Sequence, residues 1–379
     1  MTFPKNWEKT KMGDIGRYLN GKAFKSGEWK SSGRPIIRIQ NLTGSGSEFN
    51  YFQGEVEDRY VVMPGDLLFS WSATLGTYIW QGPEAVLNQH IFKVESHIDK
   101  KFHRYLLDFK IQEMQSQTHG SGMVHITKKT FDAIEVHIPP INEQHKIVEL
   151  LEDHLTRLDA ALADVKQARL KSAQFRQSLL NSVFYGSEFN LVNLGTCIEL
   201  IMGQAPPGIT CNRNGEGTPF VKVGEFAKLY PTIEEWTNKP LRLAKKGDVL
   251  ICVVGATVGK INLGIDCAIG RSVAAIRPKN TLLQKYLYYF LELKMLEIRG
   301  QSKGSAQGVI TKDYINSIQF PLPELKVQQD VLDLLELNFS QIEKSIEVSN
   351  FIEHESFSLR RSLLQSAFTG QLAKEVASV

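Results

Sequence analysis

The two halves of this chain carry the same short motifs in the same order. Displacing the second half by 182–184 positions places Gly21 on Gly203. The strongest match aligns the twelve residues from Phe175 with the twelve from Leu359, and seven of them are identical. Collinear self-similarity is typical of a duplicated structural unit, so the chain is predicted to contain two copies of one fold.

Four further matches are collinear with the first two. They pair residues 34–39 with 218–223, 64–69 with 246–251, 72–76 with 255–259 and 120–128 with 304–312. The displacement varies in the early part of each repeat and then stays at 184. Loop insertions are therefore expected in the front of each repeat, and a helix of fixed length is expected in the back.

The front of each repeat has the patterns of strands. Apolar and basic residues alternate in 35–39 and 219–223, which predicts a half-buried strand in each repeat. Apolar runs that begin with a Gly-Asp turn, at Gly65 and Gly247, predict a second strand. An amphipathic helix is expected near residues 102–116 and 283–299.

The back of each repeat predicts one long helix. Apolar residues recur every three or four positions from Val148 and again from Leu332, as in a heptad seam. Proline precedes each seam, and glycine follows it at Gly186 and Gly370. A helix of about 42 residues is roughly 60 Å long, which is more than the diameter of a domain of about 140 residues. The simplest arrangement therefore pairs the two helices with each other, antiparallel.

These patterns divide the chain into four segments. A globular domain (1–140) precedes a long helix (141–186), and a second globular domain (187–322) precedes a second long helix with a C-terminal tail (323–379). We call 1–140 and 187–322 the front segments. They carry formal charges of +2 and +5, whereas the helical segments carry 0 and −4. This mild positive excess permits nucleic-acid binding without demanding it.

The sequence contains no arrangement typical of catalysis or metal binding. The stretch from Gly255 to Ile261 resembles a phosphate-binding loop, but it is one residue short between its glycines, and Ile261 replaces the Ser or Thr that binds Mg²⁺. The four cysteines and nine histidines lack metal-ligand spacing. We therefore expect a non-catalytic chain without a metal or cofactor of its own.

The composition is that of a globular protein, with 42% apolar and 22% charged residues. No apolar run approaches the roughly 20 residues that span a bilayer. The first residues also lack the apolar stretch of a secretory signal. We expect a cytoplasmic protein with reduced cysteines.

The motif order in each repeat is Gly-Asp-(Leu/Val)-Leu, Ala-Thr-x-Gly, Gly-Ser-x-x-x-x-Ile-Thr-Lys, a proline-rich step with Gln, and a long helix that ends Ser-Leu-Leu-x-Ser-x-Phe-x-Gly. In this doubled order the chain resembles the specificity (S, HsdS) subunits of type I restriction–modification systems. Residues 139–144 fit the Pro-x-x-x-Glu-Gln helix start of that family. The second repeat departs from it with Val327 before Gln328, which leaves the capping of that helix open.

The resemblance implies two tandem target recognition domains of α/β (α+β) type, each reading one half of a split, asymmetric site in double-stranded DNA. Two long antiparallel helices would form a coiled coil between the domains, with a pseudo-two-fold internal repeat. Two modification subunits, adenine-N6 methyltransferases that use S-adenosylmethionine, would dock on this scaffold, and restriction subunits would join them. The chain itself would have no active site. A rigid spacer predicts half-site centres ~34 Å apart, one turn of DNA.

Candidate DNA contacts are the polar residues of the front segments at positions where the two repeats differ, because Arg and Lys read guanine while Asn and Gln read adenine. In the first repeat these are Lys22, Lys25, Arg34, Gln40, Asn41, Trp71, Gln89 and His90. In the second they are Gln204, Arg213, Lys222, Lys260, Arg271, Lys303 and Gln307.

Two lysines and two arginines recur at matching positions. Lys128 and Lys312 end the repeated Ile-Thr-Lys and suit phosphate contact, since they are the same in two domains that would read different sequences. Arg176 and Arg360 lie in the long helices, where a structural or docking role is favoured over DNA contact. A different class of function also fits the repeat: an adaptor whose coiled coil holds two protein-binding modules apart and never meets nucleic acid.

Overall fold

A computed structural model of the chain describes residues 3–71, 74–117, 128–186, 188–302 and 309–372. The chain divides into two compact units. The first unit comprises Met1–Val165 and Phe351–Val379, and the second comprises Lys166–Asn350. Each unit therefore contains one front segment together with a part of each long helix.

The elements of the first front segment and the helix that follows it are β1 Glu8–Lys11, β2 Gly16–Asn20, β3 Arg34–Ile37, α1 Ile39–Thr43, β4 Asn50–Phe52, β5 Val61–Val62, β6 Leu67–Ser70, β7 Gly76–Ile79, β8 Ala85–Leu87, β9 Ile91–Ser96, α2 Lys100–Gln117, α3 Lys128–Asp132, β10 Glu135–Ile138 and α4 Ile141–Tyr185. Short 3-10 helices lie at Met12–Asp14, Ser26–Glu28 and Asp58–Tyr60.

The second front segment and its helix contain β11 Leu191–Asn193, β12 Ile198–Met202, β13 Cys211–Asn212, β14 Thr218–Val221, β15 Trp236–Thr237, β16 Leu243–Ala244, β17 Val249–Cys252, β18 Ile261–Leu263, β19 Cys267–Ile269, β20 Val273–Pro278, α5 Gln284–Ser302, α6 Lys312–Ser317, β21 Gln319–Pro321 and α7 Leu325–Phe368. The 3-10 helices here are Leu194–Thr196, Gly208–Thr210 and Val223–Glu225.

Both units build the front segment from three corresponding sheets, although the second sheet has four strands (β4-β3-β8-β5) in the first unit and five (β13-β15-β14-β19-β16) in the second. A four-stranded antiparallel sheet has the order β2-β9-β6-β7 in the first unit and β12-β20-β17-β18 in the second. A second sheet contains one parallel pair, β3 with β8 or β14 with β19. A two-stranded sheet joins β1 to β10, or β11 to β21. The duplicated α/β fold predicted from the sequence is thereby confirmed, as are the helices expected near 102–116 and 283–299.

The strand predicted from alternating apolar and basic residues is present, but the half-buried pattern was wrong. In β3, Pro35, Ile36 and Ile37 are all buried. Ile36 belongs to one core cluster and Ile37 to another, because successive side chains point to opposite faces and both faces are covered. Arg38 lies beyond the strand, as the N-cap of α1.

The Gly-Asp turns begin β6 and β17 as predicted. Gly65 and Gly247 have φ angles of 89° and 103°, in the left-handed region that favours glycine. In the first unit Asp66 Oδ2 accepts a hydrogen bond from the Met63 N–H at 2.9 Å. Asp248 closes the second turn in the same way, which fixes the residue at which each central strand starts.

A buried glutamine holds the start of each long helix. Gln144 Oε1 accepts a hydrogen bond from Asp99 N at 3.0 Å, and its Nε2 donates to Pro139 O at 2.9 Å. Gln328 Oε1 accepts from Leu283 N at 2.9 Å in the second unit. Each glutamine therefore ties the helix start to the segment that leads into α2 or α5.

The preceding residue of the motif has a different role. Glu143 accepts hydrogen bonds from Asn6 Nδ2 and Trp7 Nε1, both at 2.8 Å, and so anchors the N-terminal segment. The substitution of Val327 at the equivalent position therefore leaves the glutamine cap of the second helix intact.

The two long helices run antiparallel within each unit. In the first, Leu151 near the start of α4 shares a core with Phe368 at the end of α7. In the second, Phe184 at the end of α4 shares a core with Leu335 near the start of α7. Each core also includes the amphipathic helix of its front segment; Phe102 of α2 lies 5.1 Å from Phe368 between ring centroids.

Among the described residues, no helix combines the length and the apolar character needed to cross a bilayer.

Candidate nucleic-acid interface

The carboxyl ends of four strands meet along one edge of the first front segment. Gly21 N donates to Ile91 O at 3.1 Å, and Lys22 N donates to Leu87 O at 2.8 Å. These bonds join the end of β2 to the turn between β8 and β9. We call residues 20–22, 37–38, 70–71 and 87–91 the carboxyl edge of the first unit.

The second unit has the same edge with the same backbone bonds. Gly203 N donates to Val273 O at 2.9 Å, and Gln204 N donates to Ile269 O at 3.0 Å. Its carboxyl edge comprises residues 202–204, 221–222, 252–254 and 269–273. A side chain at Gly203 would place its Cβ 2.2 Å from Gly270 O, so this close approach requires glycine. The equivalent Gly21 is under the same restriction.

An aromatic group covers the carboxyl edge of the first unit. The Trp71 ring stacks on Phe92 at 5.6 Å between centroids and lies 5.9 Å from the His90 ring. Its Nε1 donates to Asn20 Oδ1 at 3.2 Å. Gln89 Nε2 is 3.3 Å from His90 Nε2. Three predicted contacts, Trp71, Gln89 and His90, are therefore brought together, with Asn20 added to them.

Two cations of this edge differ in their surroundings. Lys22 Nζ forms an ion pair with Glu28 at 3.0 Å and lies 4.9 Å from the Phe52 ring centroid. Arg38, which was not among the contacts predicted from the sequence, lies with its Cζ 5.1 Å from the ring of the exposed Trp29. Arg38 is equivalent in the repeat to Lys222, which was selected, so the alignment of the two repeats could have identified Arg38 as a candidate.

Carboxylates surround Lys222 on the edge of the second unit. Its Nζ donates to Glu235 and lies 3.9 Å from Glu225 Oε1. The hydrogen bond that Lys222 donates to Glu235 raises the pKa of Lys222 above its ordinary value. Lys260 Nζ donates to Phe226 O at 3.1 Å. The ammonium groups of both lysines are therefore already engaged in contacts within the second unit.

Three other residues predicted in the second front segment are exposed: Gln204, Arg213 and Arg271. Gln204 and Arg271 belong to the carboxyl edge, and Arg213 lies in the loop between β13 and β14. Within the described part of the chain, Arg271 has neither a side-chain hydrogen bond nor an ion pair.

The remaining candidates in the first front segment lie outside the defined edge. Arg34 begins β3, at the opposite end, and binds Gly54 O at 2.5 Å. Asn41 accepts from Arg38 N at 3.0 Å and donates to Glu48 O at 2.9 Å, so its amide stabilises the loop after β3. Gln40 is half-buried in α1, and Lys25 is exposed.

Lys128 and Lys312 are exposed and begin two short helices, α3 and α6. Lys128 Nζ contacts Asp132 at 2.8 Å. The predicted contacts Lys303 and Gln307 lie outside the described residues. The assignment of all these residues to DNA contact stays a prediction.

The repeated arginines of the long helices face their own units. Arg176 makes a bidentate pair with Glu292, at 2.7 and 2.9 Å, and its Cζ lies 3.6 Å from the Phe339 ring centroid. Arg360 pairs with Asp159. These contacts are structural, in agreement with the role favoured from the sequence.

The chain has two equivalent edges that carry different polar side chains. This arrangement is expected of a protein that reads two different sequences. Both halves of the chain match one family. The sequence model of the type I restriction modification DNA specificity domain matches residues 4–168 and again residues 186–350. The chain therefore belongs to this family and contains two of its domains.

Full-length relatives have the same description. The EcoBI specificity subunit of Escherichia coli, a type I restriction enzyme subunit, is 25% identical over 423 aligned residues, which cover 98% of this chain and 87% of that protein. The MjaVIII specificity subunit of Methanocaldococcus jannaschii is 23% identical and is covered to 94%, with 98% of this chain aligned.

A solved structure shares the fold. The HsdS subunit from Thermoanaerobacter tengcongensis is 24% identical, with a TM-score of 0.63 and 98% coverage of both chains. The chain is a DNA recognition subunit of the type I restriction–modification class, and the adaptor alternative is not favoured.

Proposed function

We propose that each front segment reads one half of a bipartite, asymmetric DNA site with its carboxyl edge. The observation that supports this is the pairing of identical backbone bonds with different side chains. Gly21 and Gly203 make the same hydrogen bond, yet the next residue is Lys22 in one unit and Gln204 in the other. Two readers of one shape with different donors and acceptors would select different base pairs.

Phosphate contacts would position these edges without selecting a sequence. Lys128 and Lys312 suit this role because both are exposed and both repeats have lysine there. The front segments carry only modest net charge, so part of the phosphate neutralisation would come from partner subunits.

We further propose that two adenine-N6 methyltransferase subunits bind the long helices and that restriction subunits join this complex. Large apolar side chains are exposed along both helices, among them Phe175 at 51%, Leu337 at 63% and Phe357 at 72%. Exposed apolar surface of this kind is typical of a protein interface. The methyltransferases would use S-adenosylmethionine, whereas this chain would be a non-catalytic, cytoplasmic recognition subunit without a cofactor.

Mapping of DNA methylation tests this proposal. The chain is co-expressed with the adenine methyltransferase encoded beside it, in a host free of DNA methylation, and N6-methyladenine is located by sequencing. A bipartite motif with two different halves and a fixed spacer is expected. The absence of methylation, with a methyltransferase shown to be soluble and bound to this chain, would contradict the proposal.

A further inference from the structure

One turn of the carboxyl edge has the same geometry in both units and a different side chain at its tip. Asn88 N donates to Ile37 O at 3.1 Å, and Ile91 N donates to Asn88 O at 3.2 Å. These bonds close a two-residue turn that carries Gln89 and His90. The turn is thereby fixed to the end of β3 on one side and to the start of β9 on the other.

The same bonds recur in the second unit. Gly270 N donates to Val221 O at 3.0 Å, and Val273 N donates to Gly270 O at 2.9 Å. The parallel pairing of Val221 with Ile269 matches that of Ile37 with Leu87, so the register of the two turns is identical. Arg271 therefore occupies in the second unit the position that Gln89 occupies in the first.

The side chains at this position form no ion pair with a carboxylate within the described residues, in contrast to the neighbouring Lys22 and Lys222. Lys22 is paired with Glu28, and Lys222 is held between Glu225 and Glu235. Arg271 is exposed and has neither a side-chain hydrogen bond nor an ion pair within the described residues, whereas Gln89 is half-buried and its Nε2 lies 3.3 Å from Nε2 of the neighbouring His90. A base edge would therefore displace no ion pair at either turn.

We propose, as an extension of the proposed function, that this turn is a specificity determinant that reads one base pair of each half-site in the major groove. Gln89 reads adenine, through a bidentate contact of its amide with N6 and N7. Arg271 reads guanine, through a bidentate contact of its guanidinium with O6 and N7. The two half-sites consequently differ at the position that faces this turn.

Exchange of the two side chains tests the assignment in the complete complex with its methyltransferase. The variants are Gln89→Arg, Arg271→Gln and Arg271→Lys. The matched control is Lys246→Gln, which removes one positive charge from the second unit at the opposite end of β17. The wild-type motif is mapped first, so that a failure of the proposed function is recognised by the absence of any bipartite motif.

The expected result is a change at one position in one half of the motif. Gln89→Arg changes an adenine to guanine in one half, and Arg271→Gln changes a guanine to adenine or removes the preference in the other half. Arg271→Lys retains guanine, because lysine also contacts O6 and N7. Lys246→Gln leaves the motif unchanged. An unchanged motif in both exchange variants would overturn the assignment.

A binding measurement covers variants that no longer support methylation. The complex is competed against duplexes that carry each of the four bases at the assigned position. The wild-type complex is expected to prefer guanine by about 5-fold to about 140-fold at the position assigned to Arg271. In Arg271→Gln this preference should disappear while binding to the remaining motif persists. Equal weakening on all four duplexes would identify Arg271 as a phosphate contact and overturn the proposal.

Discussion

The two units hold equivalent carboxylates and arginines with different partners. Asp248, which is 1% exposed, is neutralised by a bidentate contact from Arg277 of β20, at 2.8 and 2.9 Å. The equivalent Asp66 is more exposed and contacts Lys93 of β9 at 3.3 Å. The cation comes from a different position of the equivalent strand.

The arginines of the long helices differ in the same way. Arg176 is stacked on Phe339 and paired with Glu292, whereas the equivalent Arg360 pairs with the exposed Asp159. Asp108, the counterpart of Glu292, is left to accept a hydrogen bond from Thr77 Oγ1 at 2.6 Å. The repeat therefore preserves backbone geometry, while the charges inside each unit are balanced by different local partners. Substitutions and pH changes that affect one unit more than the other test that difference.

The largest effect is expected at Arg277. Replacement by methionine leaves the buried Asp248 without its cation, and the loss of stability should be about 3 kcal/mol or more. Lys93→Met, which removes the partner of the more exposed Asp66, should cost about 1 kcal/mol. Hydrogen exchange of the β17 amides, compared with the β6 amides of the same chain, measures both effects. Equal losses of hydrogen-exchange protection in the two variants would contradict the expected difference between the Asp248 and Asp66 pairs.

Acid should destabilise the first unit more than the second through His103. Its ring contacts Tyr18 and Ser96, and burial, with a smaller contribution from His97, lowers the pKa of His103 to about 4. In the unfolded chain His103 binds a proton near pH 6.5, whereas in the folded unit it binds the proton only near pH 4. Stability is therefore complete above about pH 6.5 and falls by about 3 kcal/mol as the pH decreases to about 4.

Tryptophan fluorescence during thermal unfolding follows this pH dependence, because four of the five tryptophans belong to the first unit. The second unit has Leu287 at the equivalent position and serves as the internal control. An identical decline of both transitions with pH would contradict the role of His103.

A smaller effect distinguishes the two helix arginines. Arg176→Met removes a half-buried bidentate pair and the contact with Phe339, and it should cost about 2 kcal/mol. Arg360→Met removes a pair whose acid is largely exposed and should cost less than about 1 kcal/mol. Urea unfolding of the full chain, monitored by hydrogen exchange in each unit, gives both values. A greater loss of stability in Arg360→Met than in Arg176→Met would contradict this expected difference.

The smallest effect is a gain in stability at Asp108. Burial raises the pKa of Asp108 to about 6, even though the hydrogen bond from Thr77 and the charge of Arg104 act in the opposite direction. The folded state therefore disfavours the carboxylate, and this cost appears as the pH rises from about 4 through 6. Asp108→Asn should stabilise the first unit by about 1 kcal/mol at pH 7 and by nothing near pH 4.

The counterpart substitution supplies the control. Glu292→Gln deprives Arg176 of its anionic partner and should destabilise the second unit at pH 7. Thermal unfolding at pH 4 and pH 7 gives the sign for each variant. A loss of stability in both variants at pH 7 would show that the ionised carboxylate of Asp108 does not destabilise the first unit.

The repeat and its long helices could be predicted because motif spacing and apolar periodicity are local properties of the sequence. The burial of β3 could not be, since it depends on the four-stranded sheet, whose Leu68 packs with Ile37, and on Phe24, which packs with Ile36 on the other face. The carboxyl edge was found only in part. Trp71, Gln89 and His90 were selected by residue type, whereas Arg38 was missed even though the equivalent Lys222 was selected. The use of Asn41 in a loop depends on backbone geometry that composition does not encode.

Exchange of a whole front segment tests most directly whether the two units are equivalent readers. Residues 187–322 are replaced by a second copy of residues 1–140 between the two long helices, and the chimera is expressed with its methyltransferase for mapping of N6-methyladenine. The expected motif contains the half-site of the first unit twice, as an inverted repeat. A methylated motif that remains asymmetric would contradict the assignment of one half-site to each unit.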